Sequence, residues 1–319
     1  MKWFPLLSVL LLVSTTVAGQ LDVVGTETTI ELRHGDQSFL TYHKAEVPPP
    51  PGADPIFKRS GFIHPLKTPG GATVTGIHPS YHYHHFGLWH AWVKCVHGDD
   101  EIDFWNLKHG KGRVTYKDTR EFIVGNDLAG FTVIQEQIGY KGEKKKPVTI
   151  LEEAFTIIAR VVDGAYEIDY QVEQKNVTGE SLKLLAWRLG GPIAYHAPHH
   201  WRNGNSDYLS SEGKTRVDGH ATRSRWISMW GPANDEKGSA PVSLAILGHP
   251  SNHDAPQRMR IWPPRAKDGA IFFNYVPIQE KAWDIEPGES ITMRYRLVLT
   301  DEKADVDQLN ARWERWSRE

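Results

Sequence analysis

The stretches 131-FTVIQEQIG-139, 148-VTILEEAFTII-158 and 166-YEIDYQVEQ-174 decide the fold. Each is rich in β-branched and aromatic residues, with runs in which apolar and polar residues alternate. Period-two alternation fits a strand with one face on a core, because successive side chains point to opposite faces. The intervening segments are turn-like: Gly125-Asn126-Asp127, Lys141-Gly142-Glu143 and Asp163-Gly164. Lys144-Lys145-Lys146 reads as a solvated hairpin tip. Working outward, Thr28–Arg33, Phe39–Tyr42, Glu121–Val124, Val242–Leu247, Ala270–Tyr275 and Ser290–Leu299 read as further strands. Pro48–Pro51 must be irregular and extended. Only the C-terminus has helical spacing, with Val306, Leu309, Trp313 and Trp316 on one face. A short terminal helix that packs its tryptophans on a sheet is expected. No helical crossovers separate the strands, so the expected fold is all-β, an antiparallel two-sheet sandwich with long loops.

The first residues read as a signal peptide spanning 1–19. Lys2 supplies a positive start, Leu6–Val13 an apolar run broken only by Ser8, and Ser14–Gly19 a tract of small residues and Val. Cleavage is expected after Ala18 or Gly19, leaving 20–319 as one β-sandwich domain. The expected location is exported, periplasmic or extracellular. The apolar run is shorter than the ~20 residues a spanning helix needs, and no second such run follows. No membrane partner is therefore expected once the leader is removed. Lys plus Arg is 37 and Asp plus Glu is 39, a balance that argues against a nucleic-acid surface and leaves neutral sugars open. Cys95 is the one cysteine, so no intrachain disulfide can form and stability must come from the core. Asn176-Val177-Thr178 matches a glycosylation sequon and reads as chance unless the source is eukaryotic.

The chain carries 16 His and 12 Trp, and the histidines are clustered. Five lie between His78 and His90, and three at His196, His199 and His200. On an extended strand, His82 and His84 would share one face and His85 the other, a common way to supply two ligands for a divalent metal. A third ligand would have to come from elsewhere, such as His64, His78, His196 or His249. Glu101-Ile102-Asp103-Phe104-Trp105 sets two carboxylates beside aromatic rings, a pairing suited to acid/base work on sugars. Trp187–Glu212 is loop-rich and holds Arg188, His196, Trp201 and Glu212. His249-Pro250-Ser251-Asn252 follows an apolar strand and would place polar groups at a sheet rim.

Several blocks in the same order resemble a known family. They are Arg59–Leu66, the His82–Trp89 segment, Asp103-Phe104-Trp105, Ser211-Glu212-Gly213, His249–Asn252 and Pro287–Ser290 with Arg294-Tyr295-Arg296. Together they resemble the exported bacterial family called methane oxygenase PmoA-like. Three positions depart from that family's usual segment: Tyr81 stands in its Asp place, Tyr83 in its Pro place and Phe86 in its Arg place. The resemblance implies a soluble β-sandwich similar to the galactose-mutarotase supersandwich, in bacteria that degrade polysaccharides.

The leading expectation is a carbohydrate-active enzyme that performs glycoside cleavage, elimination or epimerisation. The candidate catalytic residues are His82, His84, Glu212, Asp103 and Glu153. The candidate substrate-binding residues are His64, His85, Trp89, Trp105, Arg188, His196, Trp201, His249 and Asn252. A divalent metal on His82 and His84 is the candidate cofactor. A non-catalytic glycan-binding protein and a metal-dependent oxidoreductase are the alternatives. The expected partner is a carbohydrate substrate, with no nucleic acid.

Overall fold

In the computed structural model, which describes residues 19–319, the three deciding stretches form one continuous meander. Strands Leu128–Lys141, Lys146–Val162 and Ala165–Asn176 pair antiparallel, and Gly142 to Lys145 turns the first hairpin. On Lys146–Val162 burial alternates along most of the strand, with Phe155, Ile157 and Ala159 facing inward. These three strands belong to an eight-stranded sheet completed by Gly112–Val124, Ser290–Thr300, Pro241–Gly248, Trp226–Pro232 and Asp207–Ser210.

A second eight-stranded sheet faces it. Its order begins with Leu21–Gly25, Thr29–His34, Gln37–His43, Phe62–Leu66 and Leu88–Ala91. It continues through Gly191–His196 and Phe272–Tyr275 to Met259–Ile261. The pairings in both sheets are antiparallel, so the expected sandwich is observed. The core between the sheets contains Ile30, Leu40, Phe131, Ile157, Tyr170, Leu244, Phe273 and Leu297. A small four-stranded sheet, ordered Trp283–Ile285, Leu182–Leu184, Cys95–His97, Asp100–Ile102, covers a second apolar cluster built on Trp92, Trp105, Phe104 and Phe272.

The terminal helix Val306–Trp316 forms where its spacing predicts, capped by Asp305, whose carboxylate accepts from Gln308 N at 2.9 Å. Leu309 and Trp316 pack on Trp226, Leu247 and Val298 of the sheet's outer face. Trp313 is half-buried and donates its indole N–H to Gly248 O at 2.9 Å. Val306 stays exposed, and Arg312 takes a buried place on the helix, ion-paired with Glu167. The sequon is closed: Asn176 is buried, and its amide donates to Glu180 O and Ile285 O. The expected leader lies outside the described residues except for Gly19. Among the described residues no helix is long and apolar enough to cross a membrane.

Candidate functional site

The histidine segment is a turn, where an extended strand with alternating faces was expected. Pro79 O accepts from His82 N at 2.8 Å, and His82 O accepts from His85 N at 3.1 Å. His78 sits at φ 50°, and its ring bonds Tyr83 O at 2.7 Å, which tightens the loop from within. Gly87 ends it at φ 68°, where a Cβ would meet Ile63 O at 2.6 Å; only glycine lets the loop pass so close to the neighbouring strand. The turn gathers what a strand would have separated. Ring centroids are 5.1 Å apart for His82 and His84, 4.9 Å for His82 and His85, and 5.0 Å for His84 and His85. Trp89 lies behind His85 at 5.0 Å, Trp262 lies beside it at 5.6 Å, and Phe272 stacks on it at 4.9 Å.

These histidines form part of the wall of a cavity of about 980 Å³. Asp103, Trp105 and Arg188 also line it, as expected. Tyr81, Trp187, Trp262, Lys94, Lys108, Arg260 and Lys267 line it too, and none of them was singled out as a site residue from the sequence. Tyr81 carries the chemistry that sequence reading missed. Its hydroxyl lies 3.1 Å from His196 Nε2, while His196 Nδ1 lies 2.8 Å from Ala197 O. A carbonyl can only accept, so His196 carries its proton on Nδ1 and the Tyr81 phenol donates to Nε2. His196 itself is fully buried behind Tyr81.

Burial holds the ring nitrogens neutral. Desolvation lowers His82 to about 4, with Lys267 and Lys108 adding to the effect. Desolvation likewise lowers His84 to about 3, helped by His82 and Lys108. His196 falls to about 3 through burial, which outweighs its bond to Ala197. Burial raises the Tyr81 phenol to about 12. At neutral pH the wall therefore presents uncharged imidazoles and a protonated phenol. The Nδ1 atoms of His82 and His85 are buried without a protein partner. Among the described residues no group of three or more His, Cys, Asp or Glu is arranged to hold an ion, so His82 and His84 gain no third ligand.

The carboxylates differ from expectation. Asp103 Oδ1 accepts from Trp105 N at 3.0 Å and Asn106 N at 2.8 Å, and Oδ2 accepts from the Asn106 amide at 3.0 Å. It shapes the loop under the cavity wall. Glu101 is exposed and ion-paired with Lys111, which holds it below the usual carboxylate range. Glu153 is nowhere near the cavity wall; it is fully buried between the two large sheets with His90, Gln135, Gln137 and Gln174 as donors. Glu212 is exposed and lies 3.7 Å from Arg225, well apart from the histidines in the fold.

The remaining candidates also lie elsewhere. Trp201 is in the core and donates to Pro232 O at 2.9 Å. His249 bonds Ser251 and Arg294, and Asn252 clamps the Arg294 backbone from both of its amide atoms. His64 bonds Thr75 and opens onto a separate groove shared with His199 and His200. These are turn and groove residues, and the site contracts to the histidine turn, Tyr81–His196, the tryptophans and the cations.

A family model described as "Family of unknown function (DUF6807)" matches residues 29–314. No curated protein matches the chain. Among solved structures it is similar to the galactosidase domain of the alpha-galactosidase–sucrose kinase AgaSK, at 9% identity and TM-score 0.43, covering 89% of this chain and 41% of that one. It is similar to the GH36 alpha-galactosidase AgaA from Geobacillus stearothermophilus, at 11% identity and TM-score 0.39, with coverage of 89% and 41%. It is also similar to a galactose mutarotase related enzyme from Lactobacillus acidophilus, at 8% identity and TM-score 0.40, with coverage of 89% and 100%. The chain thus spans about two fifths of the galactosidase chains. None of these comparisons shows the methane-oxygenase-like family that the sequence blocks resemble.

Proposed function

We propose, for a chain that belongs to the DUF6807 family of unknown function, that the histidine-walled cavity is the active site of an exported carbohydrate-active enzyme. In this reading histidine and tyrosine move the proton. The observation that carries it is the convergence of His82, His84 and His85 within 5.1 Å of one another, beside the Tyr81–His196 pair, on one wall of a cavity with a half-buried indole at Trp187. A neutral imidazole has a free lone pair and serves as a general base. A phenol held protonated serves as the acid. Trp187 offers a π face for the apolar side of a sugar ring. A hydrolysis run by two carboxylates needs both free and flanking the bond. Here Asp103 is occupied by backbone donors and Glu101 by Lys111. The chemistry supported best is therefore proton transfer at a sugar by His82 or His84, with Tyr81 as its partner. The leader expected at residues 1–19 supports an activity outside the cytoplasm.

His84→Ala and Tyr81→Phe are expected to reduce turnover about 10²- to 10⁴-fold each, while glycan binding holds within a few-fold. Glycan turnover followed by product chromatography, beside binding measured through tryptophan fluorescence, checks this. Wild-type protein that binds glycans in the cavity and turns none over would make the chain a non-catalytic glycan binder. Unchanged turnover in both variants would remove the proton-transfer assignment.

A further inference from the structure

We infer that the cavity is built for an acidic glycan, with a hexuronate carboxylate seated among its cations; this rests on the carbohydrate reading above. Six of the lining residues are Lys or Arg (Lys94, Lys108, Lys111, Arg188, Arg260, Lys267), against two acids, Glu101 and Asp103. The whole chain has 37 basic and 39 acidic side chains, so the excess is local to this cavity. Both acids are spoken for, Glu101 by Lys111 and Asp103 by backbone amides. Of the six cations, only Lys111 forms an ion pair among the described residues.

Four of the five free cations are held in place, and no carboxylate holds them. Lys94 lies 4.6 Å and Arg188 5.0 Å from the Trp187 ring centre, so one indole carries a positive charge from each residue. Lys267 lies 5.7 Å from the Tyr81 ring centre. Arg260 is half-buried, its Nη1 is 3.2 Å from His220, and its Nε is buried without a partner. Burial, with Arg188 nearby, lowers the Arg260 guanidinium from its ordinary value. Arg188 and Arg260 line the same cavity and neither is ion-paired, an arrangement that suits an oxyanion. A neutral sugar would leave this charge uncompensated.

The same placement suits the chemistry. The C5 proton of a hexuronate lies next to the carboxylate, and neutralising that carboxylate with cations makes the proton more acidic. The imidazole nitrogen takes the C5 proton, and the electron pair forms the C4=C5 bond. The C4–O4 bond breaks with its pair going to O4, which takes a proton from Tyr81; solvent then resets both groups. A bound carboxylate also offsets Lys108 and Lys267, two charges that depress His82 in the free protein, and so strengthens the base.

The test uses the full mature chain with a uronate oligosaccharide, its carboxyl-reduced neutral counterpart, a sulfated neutral oligosaccharide and inorganic polyphosphate. The uronate is expected to bind at least tenfold more tightly than its reduced form, less tightly as salt rises, and with a new unsaturated product. Arg188→Ala, an exposed position, is expected to weaken uronate binding about tenfold or more and binding of the reduced sugar far less, with Arg188→Lys recovering part of the loss. Equal binding of uronate and reduced sugar overturns the substrate class, while loss of turnover in His84→Ala on the neutral sugar keeps the enzyme reading. Equal binding of the sulfated sugar, or of polyphosphate, overturns the carboxylate assignment. Failure of every glycan to bind overturns both readings together.

Discussion

Glu153→Ala is expected to destabilise the protein by about 3–5 kcal/mol, because it leaves buried donors and a buried guanidinium without their carboxylate. Glu153 is fully buried, and its Oε1 accepts from His90 Nε2 at 2.7 Å and the Gln135 amide at 2.8 Å. Its Oε2 accepts from the Gln174 amide at 2.7 Å and the Gln137 amide at 3.2 Å. Burial pushes Glu153 up, and His90 with the amide donors more than offsets this, leaving it below the usual carboxylate range. Arg59 adds to the stakes. It is buried, with Nε and Nη1 unpartnered, and burial lowers it to about 10 against the opposing pull of Glu153. Removing the carboxylate strands four donors and a guanidinium at once. Glu153→Gln should cost less, about 1–2 kcal/mol, because the Gln135 and Gln137 carbonyls have no partner and can turn to accept its new amide. Urea unfolding of the two variants measures this. A Glu153→Ala protein within 1 kcal/mol of wild type would mean the network contributes little. A fully stable but inactive Glu153→Gln would return Glu153 to the chemistry.

The structure answers which of Glu152 and Glu153 turns inward, a question that strand alternation alone leaves open. Neither reaches the cavity: Glu153 faces the other sheet, and Glu152 pairs with Lys117 on the outside at 3.0 Å. The strands whose two faces differ were legible in the sequence, because burial writes a period of two into them. Gly112–Val124 was caught only at its end, Glu121–Val124. It is an edge strand with register shifts near Lys117 and Arg120, so no regular pattern marks its first half. The histidine turn was misread for a related reason. His-Tyr-His-His carries no proline or glycine of its own, and two of the bonds that bend it come from Pro79 and His78 just upstream. Arg188 and the histidines were found through residue type and clustering. Lys94 comes from a loop, Lys108 and Lys267 from two short helical turns and Arg260 from the strand Met259–Ile261, and nothing local in the sequence says that they meet. Tyr81 showed only as a departure from the resembled family's acid, and its role depends on His196, far away in the chain.

Stability is expected to fall steeply as pH drops from about 6.5 towards 4, by an amount large beside the ~5–15 kcal/mol that holds a typical fold together. The groups responsible are His84 and His196, lowered to about 3, and His64, lowered to about 4, each chiefly by burial. The sign follows from proton counting. In the unfolded chain each imidazole takes up its proton near its ordinary value of about 6.5, while in the folded protein it does not until pH 3–4. The unfolded state therefore binds more protons throughout that window. The contribution is fully present above pH 6.5 and is lost as pH falls through the folded value. Each such histidine adds a slope of about 1.4 kcal/mol per pH unit, so the two fully lowered ones alone remove about 4 kcal/mol by pH 5. Glu153 adds its loss only below its unfolded value of about 4.5, which separates the two effects on the pH axis. Urea unfolding at pH 7.5 and 5.5 reads the histidine window by itself. His84→Gln should lower the pH 7.5 stability and reduce the difference between the two pH values by about 1 kcal/mol, since glutamine does not titrate. Equal stability of the wild type at both pH values would show that these imidazoles titrate alike folded and unfolded, and the neutral base that the proposed chemistry requires would then lose its physical ground.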